Sequence, residues 1–234
     1  MGFIYNDITV LILLPAVAFA FFAQFRVKSA YRKYARIGNR RGITGARAAR
    51  YILDKNGLGD IAVEMTGGQL TDHYDPRRMT IRLSEGVFND SSLASVGIAA
   101  HEVGHAIQHR QAYAPLAVRS ALVPVVNVAT NITWPIIVLG IVLAQAGKYS
   151  AGNLLLDLGV IAFVFVVLFH LVTLPVELNA SRRAIIQLEE CDIIYDEEIA
   201  GAKRVLSAAA MTYVAALAVA LANLLRILAI RGRR

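Results

Sequence analysis

The chain has 234 residues, 56% of them hydrophobic, and a formal net charge of +7. Its mean hydropathy of +0.52 is far above that of an ordinary soluble domain, so the composition predicts a membrane protein. The basic residues lie beside apolar runs rather than among aromatic residues, so we expect no nucleic-acid partner. A single cysteine, Cys191, excludes an internal disulfide.

Four apolar stretches are long enough, or nearly so, to cross a bilayer, which requires about 20 mostly apolar residues. They comprise residues 8–25, 121–146, 154–176 and 205–225 or slightly beyond. Because the first stretch is followed, not preceded, by arginines and lysines, we interpret it as an anchor rather than a cleaved signal peptide. The sequence thus predicts a mainly α, integral membrane protein with about four transmembrane helices and a small α+β domain.

The basic stretches predict which segments face the cytoplasm, because cytoplasmic loops are enriched in lysine and arginine. We expect a transmembrane anchor at 1–25, a cytoplasmic domain at 26–120 and a transmembrane hairpin at 121–176. A cytoplasmic segment at 177–204 and a transmembrane helix with a basic tail at 205–234 would follow. This describes a multi-pass protein of the plasma (inner) membrane with the lipid bilayer as its partner. A fourth full span would leave the basic tail outside, which the rule disfavours, so the side of the tail stays open.

The cytoplasmic domain is predicted to begin with a helix followed by a β-hairpin. Thr44 is suited to cap a helix that runs to Asn56, with a glycine at the stop position. Residues 61–66 and 79–84 resemble two short strands separated by a glycine-rich, polar connection. We therefore expect these two strands to pair as a hairpin.

A second helix of the domain carries three evenly spaced histidines in the stretch HEVGHAIQH, residues 101–109. Asp90, Ser91 or Ser92 could cap this helix at its start, and we expect Pro115 to end it. On a helix, His101 and His105 lie one turn apart and can bind one zinc ion through their imidazole nitrogens. Glu102 then lies beside the metal position, where it can act as the general base in hydrolysis. This HExxH motif predicts that the cytoplasmic domain at 26–120 is zincin-like.

The third histidine, His109, lies too far along the helix to be the next ligand. Each four-residue step advances about 6 Å, so a metal between the first two histidines lies a full turn from His109. The longer motif, in which a glycine bend returns a later histidine to the metal, is excluded by Gln108 and Gln111. We interpret His109 as a polar residue at an interface, with substrate contact as the alternative.

Two acidic residues compete for the third ligand position, Asp157 and Glu177. About 20 residues, or roughly 30 Å of helix, separate them, so only one can reach the metal. The helix that carries the HExxH residues 101–105 ends shortly before the second span, so we expect it on the cytoplasmic side. The third span returns to that side at Glu177. We therefore predict Glu177 as the ligand, and Asp157 remains the ligand of a rival intramembrane site.

Several long stretches resemble a known family. HEVGHAIQH with the following YAPLAVRSALVPVVN, the later LPVELNASRRA and the earlier LTDHYDPRRMTIRLSEGVF closely resemble the YugP-like membrane zinc metallopeptidases over most of the chain. The order of the elements, in which the HExxH motif is followed by two spans and then by Glu177, is also similar to that in the HtpX-type membrane proteases of the gluzincin class. The resemblance implies a membrane endopeptidase with a cytoplasmic site, zinc on His101, His105 and Glu177, and Glu102 as base.

The sequence departs from those families in the residues that would brace the histidines. In HtpX-like enzymes an aspartate four residues after the ligand glutamate supports a zinc histidine, and here that position is Ser181. The YugP-like pattern usually has an acid at the position of Asn179. Either Asn179 or Ser181 could accept a hydrogen bond from an imidazole N–H, although more weakly than a carboxylate.

The remaining candidates concern the substrate. His73 could donate a hydrogen bond to the oxyanion formed during hydrolysis, with Tyr74 and Tyr113 as alternatives. An extended peptide could pair with an edge strand of the 61–84 region. We therefore expect a zinc endopeptidase acting on peptides or membrane proteins; its alternatives are a site-2-type intramembrane protease using Asp157 and a non-catalytic membrane scaffold. Neither the substrate nor the oligomeric state follows from the sequence.

Overall fold

A computed structural model describes residues 10–232 of the protein. The predictions for residues 1–9, the start of the anchor, and for residues 233–234, the end of the basic tail, lie outside this range. Helices dominate and one small sheet is present, so the predicted mainly α fold is confirmed. The elements in chain order are α1 (Val10–Tyr34), α2 (Gly45–Lys55), β1 (Ala62–Thr66), β2 (His73–Asp75), β3 (Thr80–Ser84), α3 (Glu85–Asn89), α4 (Leu93–Arg110), α5 (Ala114–Gln145), α6 (Tyr149–Glu190) and α7 (Asp196–Gly232).

Four helices, α1, α5, α6 and α7, are long and apolar enough to cross a membrane. In each, no more than 28% of the most apolar 18-residue window is buried within the protein. Outward-facing apolar surface of this extent suits a lipid environment. The four predicted spans are thereby confirmed as candidate membrane helices, although each helix continues beyond the predicted stretch.

The described chain forms two compact units, and the first contains residues 10–22, 117–174 and 213–232. Its core includes Val126, Ile137 and Leu156, all of which are buried. Small residues allow α5 and α6 to approach closely here, since a Cβ on Gly152 would lie 2.7 Å from the carbonyl oxygen of Gly140. The hairpin formed by these two helices therefore depends on backbone contact.

The second unit contains residues 23–116 and 175–212, and with them the HExxH helix. Its core gathers side chains from two distant parts of the sequence: Leu53 of α2, Val103 of α4 and Leu188 of α6 are all fully buried. The unit is thus built from most of the predicted 26–120 domain together with the predicted 177–204 segment. This arrangement brings the C-terminal part of α6 against α4.

The sheet differs from the predicted hairpin. Both predicted strands are present, but β1 pairs with β3 in parallel, Val63 opposite Ile81, and the short strand β2 follows antiparallel on the other side of β3. The hairpin prediction was wrong because the polar connection holds a third strand, which gives the chain room to cross over before β3. Consequently β1 and β2, not the predicted pair, are the edges of the sheet.

The predicted start of α2 is confirmed. The hydroxyl of Thr44 accepts a hydrogen bond from the backbone N–H of Arg47 at 3.3 Å, which satisfies a free donor of the first turn. Gly57 follows the end of the helix with φ of +68°, a conformation that glycine adopts without strain. The helix therefore begins after Thr44 and ends before Gly57, as predicted from the sequence.

The motif helix α4 begins as expected but ends earlier. Of the three predicted caps, Ser92 is the one used, and its hydroxyl accepts from the N–H of Ser95 at 3.1 Å. The helix stops at Arg110, and Ala112 takes a positive φ of 50°. Pro115 does not end α4; it lies in the first turn of α5, where its missing N–H leaves no helical hydrogen bond unmade.

Candidate metal centre

Helix α4 presents the two imidazoles of the motif together. The rings of His101 and His105 lie with their centroids 4.8 Å apart and nearly perpendicular, as expected for side chains one turn apart. Glu102, between them in sequence, is only 7% exposed. The motif therefore occupies a largely buried stretch of the helix rather than a solvated face.

Helix α6 brings Glu177 to the two imidazoles. One carboxylate oxygen, Oε2, lies 3.3 Å from Nε2 of His101 and 3.5 Å from Nε2 of His105. The side chain is buried, and one donor atom from each of the three residues lies within 4.8 Å of the others. Glu177, the carboxylate that the sequence predicts as the third ligand, therefore lies beside both histidines.

These donors fit a zinc ion. Ligands about 2.1 Å from zinc in a tetrahedral arrangement lie about 3.4 Å from one another. The two separations between imidazole nitrogen and carboxylate oxygen, 3.3 and 3.5 Å, are close to that edge length. Two neutral imidazoles and one carboxylate are also a ligand set that zinc enzymes use.

The electrostatics of the centre favour a cation. Burial by itself would lower the pKa of His105, but the carboxylates of Glu177 and Glu102 raise it above its ordinary value. A negative environment that favours a proton on this imidazole also favours a divalent metal there. Glu102, next to His101 in sequence, therefore contributes to the negative environment of His105.

A close contact between α4 and α6 makes this geometry possible. A Cβ placed on Gly104 would lie 2.6 Å from the carbonyl oxygen of Ala180, a distance too short for two non-bonded atoms. Gly104 and Ala180 are both buried. The glycine within the motif therefore lets the two backbones approach until the glutamate of α6 reaches the histidines of α4.

The far nitrogen of each imidazole also has a partner. Nδ1 of His101 lies 3.1 Å from the hydroxyl of Ser181, and Nδ1 of His105 lies 3.0 Å from Oε1 of Gln108. Contacts of this kind hold a ligand imidazole in one tautomer and one orientation. Ser181 is a residue that the sequence suggested for this position, whereas Gln108 was noted only for excluding the longer motif.

Asn179 contacts this network without touching a histidine. Its side-chain oxygen accepts from Nε2 of Gln108 at 2.9 Å and from Nε of Arg183 at 2.7 Å. Gln108 donates in addition to the carbonyl of Val176 at 2.8 Å and is fully buried. Asn179 therefore supports His105 through Gln108. A signal for Gln108 did exist, since a residue three positions after His105 lies on the same helix face.

Asp157, the rival ligand, has a different partner. It forms an ion pair with Arg231 of α7, and both residues belong to the first unit. Its carboxylate is not among the atoms that cluster with the histidines in the described part of the chain. The geometry thus favours Glu177 over Asp157.

On the edge strand β2, the side chain that faces α4 is Tyr74 and not His73. The hydroxyl of Tyr74 lies 3.0 Å from Nδ1 of His109, which places strand β2 against the end of the motif helix. His73 is exposed, and its Nδ1 lies 2.8 Å from the carbonyl of Thr71. Because side chains alternate along a strand, His73 points to the side opposite Tyr74. Tyr113, the third candidate, is half-buried.

Comparisons with known proteins identify the family of the chain. Residues 9–232 match a family described as "Putative neutral zinc metallopeptidase". The chain is also 46% identical over 217 residues, 93% of each chain, to a Bacillus subtilis protein named "Putative membrane protease YugP". No solved structure matches the chain. The match to nearly the whole length shows that the chain belongs to this zinc metallopeptidase family, whose members include a protein named as a membrane protease.

Proposed function

We propose that the protein is a membrane-embedded zinc endopeptidase that hydrolyses peptide bonds of peptides or membrane proteins. The observation that carries the proposal is the position of Glu177 Oε2, 3.3 Å from Nε2 of His101 and 3.5 Å from Nε2 of His105, which suits ligands of a tetrahedral zinc ion. These three residues would hold the metal. A zinc ion bound there supplies Lewis acidity and makes a water molecule acidic enough to be deprotonated near neutral pH.

Glu102 is the proposed general base. The proposal is supported by its position directly after His101, its burial and its contribution to the raised pKa of His105. In the proposed reaction its carboxylate takes a proton from the attacking water and delivers it to the leaving amine. Burial strengthens its interactions because surrounding water is excluded.

The proposed reaction also needs a hydrogen-bond donor for the oxyanion. His73 was the first candidate from sequence, but its side chain contacts a loop carbonyl on the far side of β2. The hydroxyl of Tyr74 is the proposed donor instead, because it faces α4 and lies 3.0 Å from Nδ1 of His109, one helical turn beyond His105. Such a donor stabilises the negative charge that develops on the scissile carbonyl oxygen.

Strand β2 is the proposed docking edge for the substrate. It is an edge of the sheet and it lies against α4, so an extended peptide that pairs with it would run close to the metal centre. Proline substitutions at each of the three β2 residues test this pairing, because proline removes a backbone N–H. If every variant that still folds retains full peptidolysis, the substrate does not pair with β2.

The proposal is tested by metal content and peptidolysis measured together on four proteins. We expect one zinc per chain in the wild type and in Asp157→Ala, and loss of zinc in Glu177→Ala. Glu102→Gln should keep its zinc and lose cleavage, since the amide cannot take a proton. Metal loss in Asp157→Ala with retention in Glu177→Ala would instead indicate the site-2-type arrangement. A zinc-loaded wild type that cleaves no peptide or membrane protein would indicate a scaffold.

We also propose that the centre faces the cytoplasm from a plasma membrane. The support is the distribution of charge: arginines and lysines are frequent in the segments that flank the metal centre, at 26–50 and 182–204. The short turn between α5 and α6 holds one lysine, Lys148. Basic loops of this kind remain on the cytoplasmic side during insertion.

A further inference from the structure

A groove between α1 and α7 of the second unit is the strongest feature that the proposed peptidase does not use. Its volume is about 300 Å³. Its lining residues recur at helical spacing from Arg26 to Lys33 on α1 and from Arg204 to Met211 on α7. The groove is therefore a regular concavity formed by one face of each helix.

The groove is strongly basic. Arg26, Lys33 and Arg204 line it, and none of its described lining residues is acidic. Two of these cations contact the same phenol: the ammonium of Lys33 lies 5.4 Å from the ring centroid of Tyr34, and Arg204 donates to its hydroxyl at 3.4 Å. A neutral tyrosine orients the two cations without cancelling their charge. Positive charge converges on the groove as a result.

The remaining lining provides hydrogen-bond donors above an apolar floor. Ser29 and Ser207 present exposed hydroxyls, while Ala208 and Tyr34 at the bottom are 5% and 8% exposed. Guanidinium, ammonium and hydroxyl groups around one concavity are the donors that a phosphate group accepts from. This chemistry points to an organic phosphate rather than to a carboxylate-bearing peptide, because several donors converge on one small space.

The position of the groove along the two helices indicates where that phosphate comes from. Arg26 directly follows residues 10–25, which contain no charged residue, and Arg204 directly precedes residues 205–225, which also contain none. If α1 and α7 cross the bilayer, the groove therefore lies at the depth of the lipid phosphates. Phe25, next to Arg26, is 64% exposed and offers apolar surface to an acyl chain.

We propose that this groove binds the phosphate headgroup of an anionic glycerophospholipid. The three cations hold the phosphate, the two serines donate to its oxygens, and the acyl chains run along the apolar part of α1. A headgroup with its own cation, such as choline, is disfavoured because it would meet three positive charges. The site would tie the N-terminal and C-terminal helices of the second unit together through one lipid.

The test counts bound lipids on the full-length protein by native mass spectrometry, after purification in a neutral detergent, removal of endogenous lipid and addition of phosphatidylglycerol or phosphatidylcholine. We expect one phosphatidylglycerol per chain and no retained phosphatidylcholine. The triple variant Arg26→Gln, Lys33→Gln, Arg204→Gln should weaken binding by about fivefold per cation, or about a hundredfold in all. A melting temperature close to that of the wild type confirms that this variant folds.

A matched triple variant separates a defined site from general attraction. Lys28→Gln, Arg32→Gln, Lys203→Gln also removes two charges from α1 and one from α7, but none of these residues lines the groove. We expect it to keep the tightly bound phosphatidylglycerol. Equal losses in both variants, or equal retention of phosphatidylcholine by the wild type, would overturn the site. Displacement of the lipid by millimolar inorganic phosphate would identify a soluble anion, not a lipid, as the ligand.

Discussion

Each imidazole of the candidate metal centre has a polar neighbour at both ring nitrogens. Nε2 points toward Glu177, and Nδ1 meets Ser181 in one case and Gln108 in the other. The amide of Gln108 has a determined orientation, because its nitrogen donates to the carbonyl of Val176 and to Asn179. Its oxygen must then accept from Nδ1–H of His105, which leaves the lone pair of Nε2 for a metal.

The first prediction concerns Gln108. Replacing Gln108 with leucine keeps the volume approximately but removes the acceptor, so His105 loses its fixed tautomer. We expect zinc affinity to fall about 10- to 100-fold, measured by competition with a chelator. Gln111→Leu is the control, since Gln111 is exposed and contacts Arg183 rather than an imidazole. Equal losses in the two variants would mean that Gln108 does not orient His105.

The second prediction distinguishes the two candidate oxyanion donors. Tyr74→Phe removes only a hydroxyl, and we expect kcat for a model peptide to fall about 10²-fold, the loss typical of one such donor. His73→Ala should change kcat by less than about threefold, because its ring lies on the opposite side of the strand. Zinc content is measured alongside and should be unchanged in both. The reverse order of effects would restore His73 to the role that the sequence suggested.

At the scale of elements, the approach of α4 to α6 determines whether the metal centre can form. The third prediction is that Gly104→Ala lowers zinc affinity more than tenfold and destabilises the fold by about 1–3 kcal/mol, as overpacking does. The added methyl group would meet the backbone of Ala180 and push apart the helices that carry the ligands.

Gly97→Ala is the matched control on the same helix. A Cβ at Gly97 would lie 3.4 Å from the Cβ of Ala202, an ordinary van der Waals contact. Alanine also favours the helix over glycine by about 1 kcal/mol, so this variant should be neutral or slightly stabilised. Chelator competition and thermal unfolding measure both variants. Unchanged zinc binding in Gly104→Ala would show that the contact with Ala180 is not needed.

The helices could be predicted from the sequence because their signals are local. Thr44 and Ser92 cap helices within three residues, and the apolar runs mark the long helices directly. The pairing of β1 with β3 could not be predicted, because a parallel pair depends on a crossover and two strands with a turn signal favour a hairpin. Pro115 was misassigned for a similar reason, since a proline that ends one helix equally well begins the next.

The candidate site could be predicted partly, and the part missed is non-local. Spacing along one helix pairs His101 with His105, and counting the length of the third span selects Glu177. Helical spacing places Gln108 near His105, but the orientation of its amide could not be predicted because it depends on contacts with Val176 and Asn179, about 70 residues away. The groove between α1 and α7 likewise joins residues from opposite ends of the chain.

At the scale of the whole molecule, α6 runs through both compact units. It carries Asp157 in the first unit, paired with Arg231, and Glu177 in the second, beside the histidines. These two acids are 20 positions apart, which corresponds to about 30 Å of helix and matches the hydrocarbon thickness of a bilayer. If the end bearing Glu177 is cytoplasmic, the turn between α5 and α6 must lie outside.

The fourth prediction tests this orientation by labelling cysteines in intact cells with a membrane-impermeant maleimide. Cys191 is buried, and burial raises the pKa of its thiol, so the wild type should remain unlabelled and serve as the background. Ser150→Cys, exposed at the start of α6, should react from outside, whereas Gln69→Cys, exposed between β1 and β2, should react only after permeabilisation. Because both positions are exposed, a difference in labelling reports the side of the membrane rather than burial. The opposite pattern would place the metal centre outside the cell and make extracellular polypeptides its substrates.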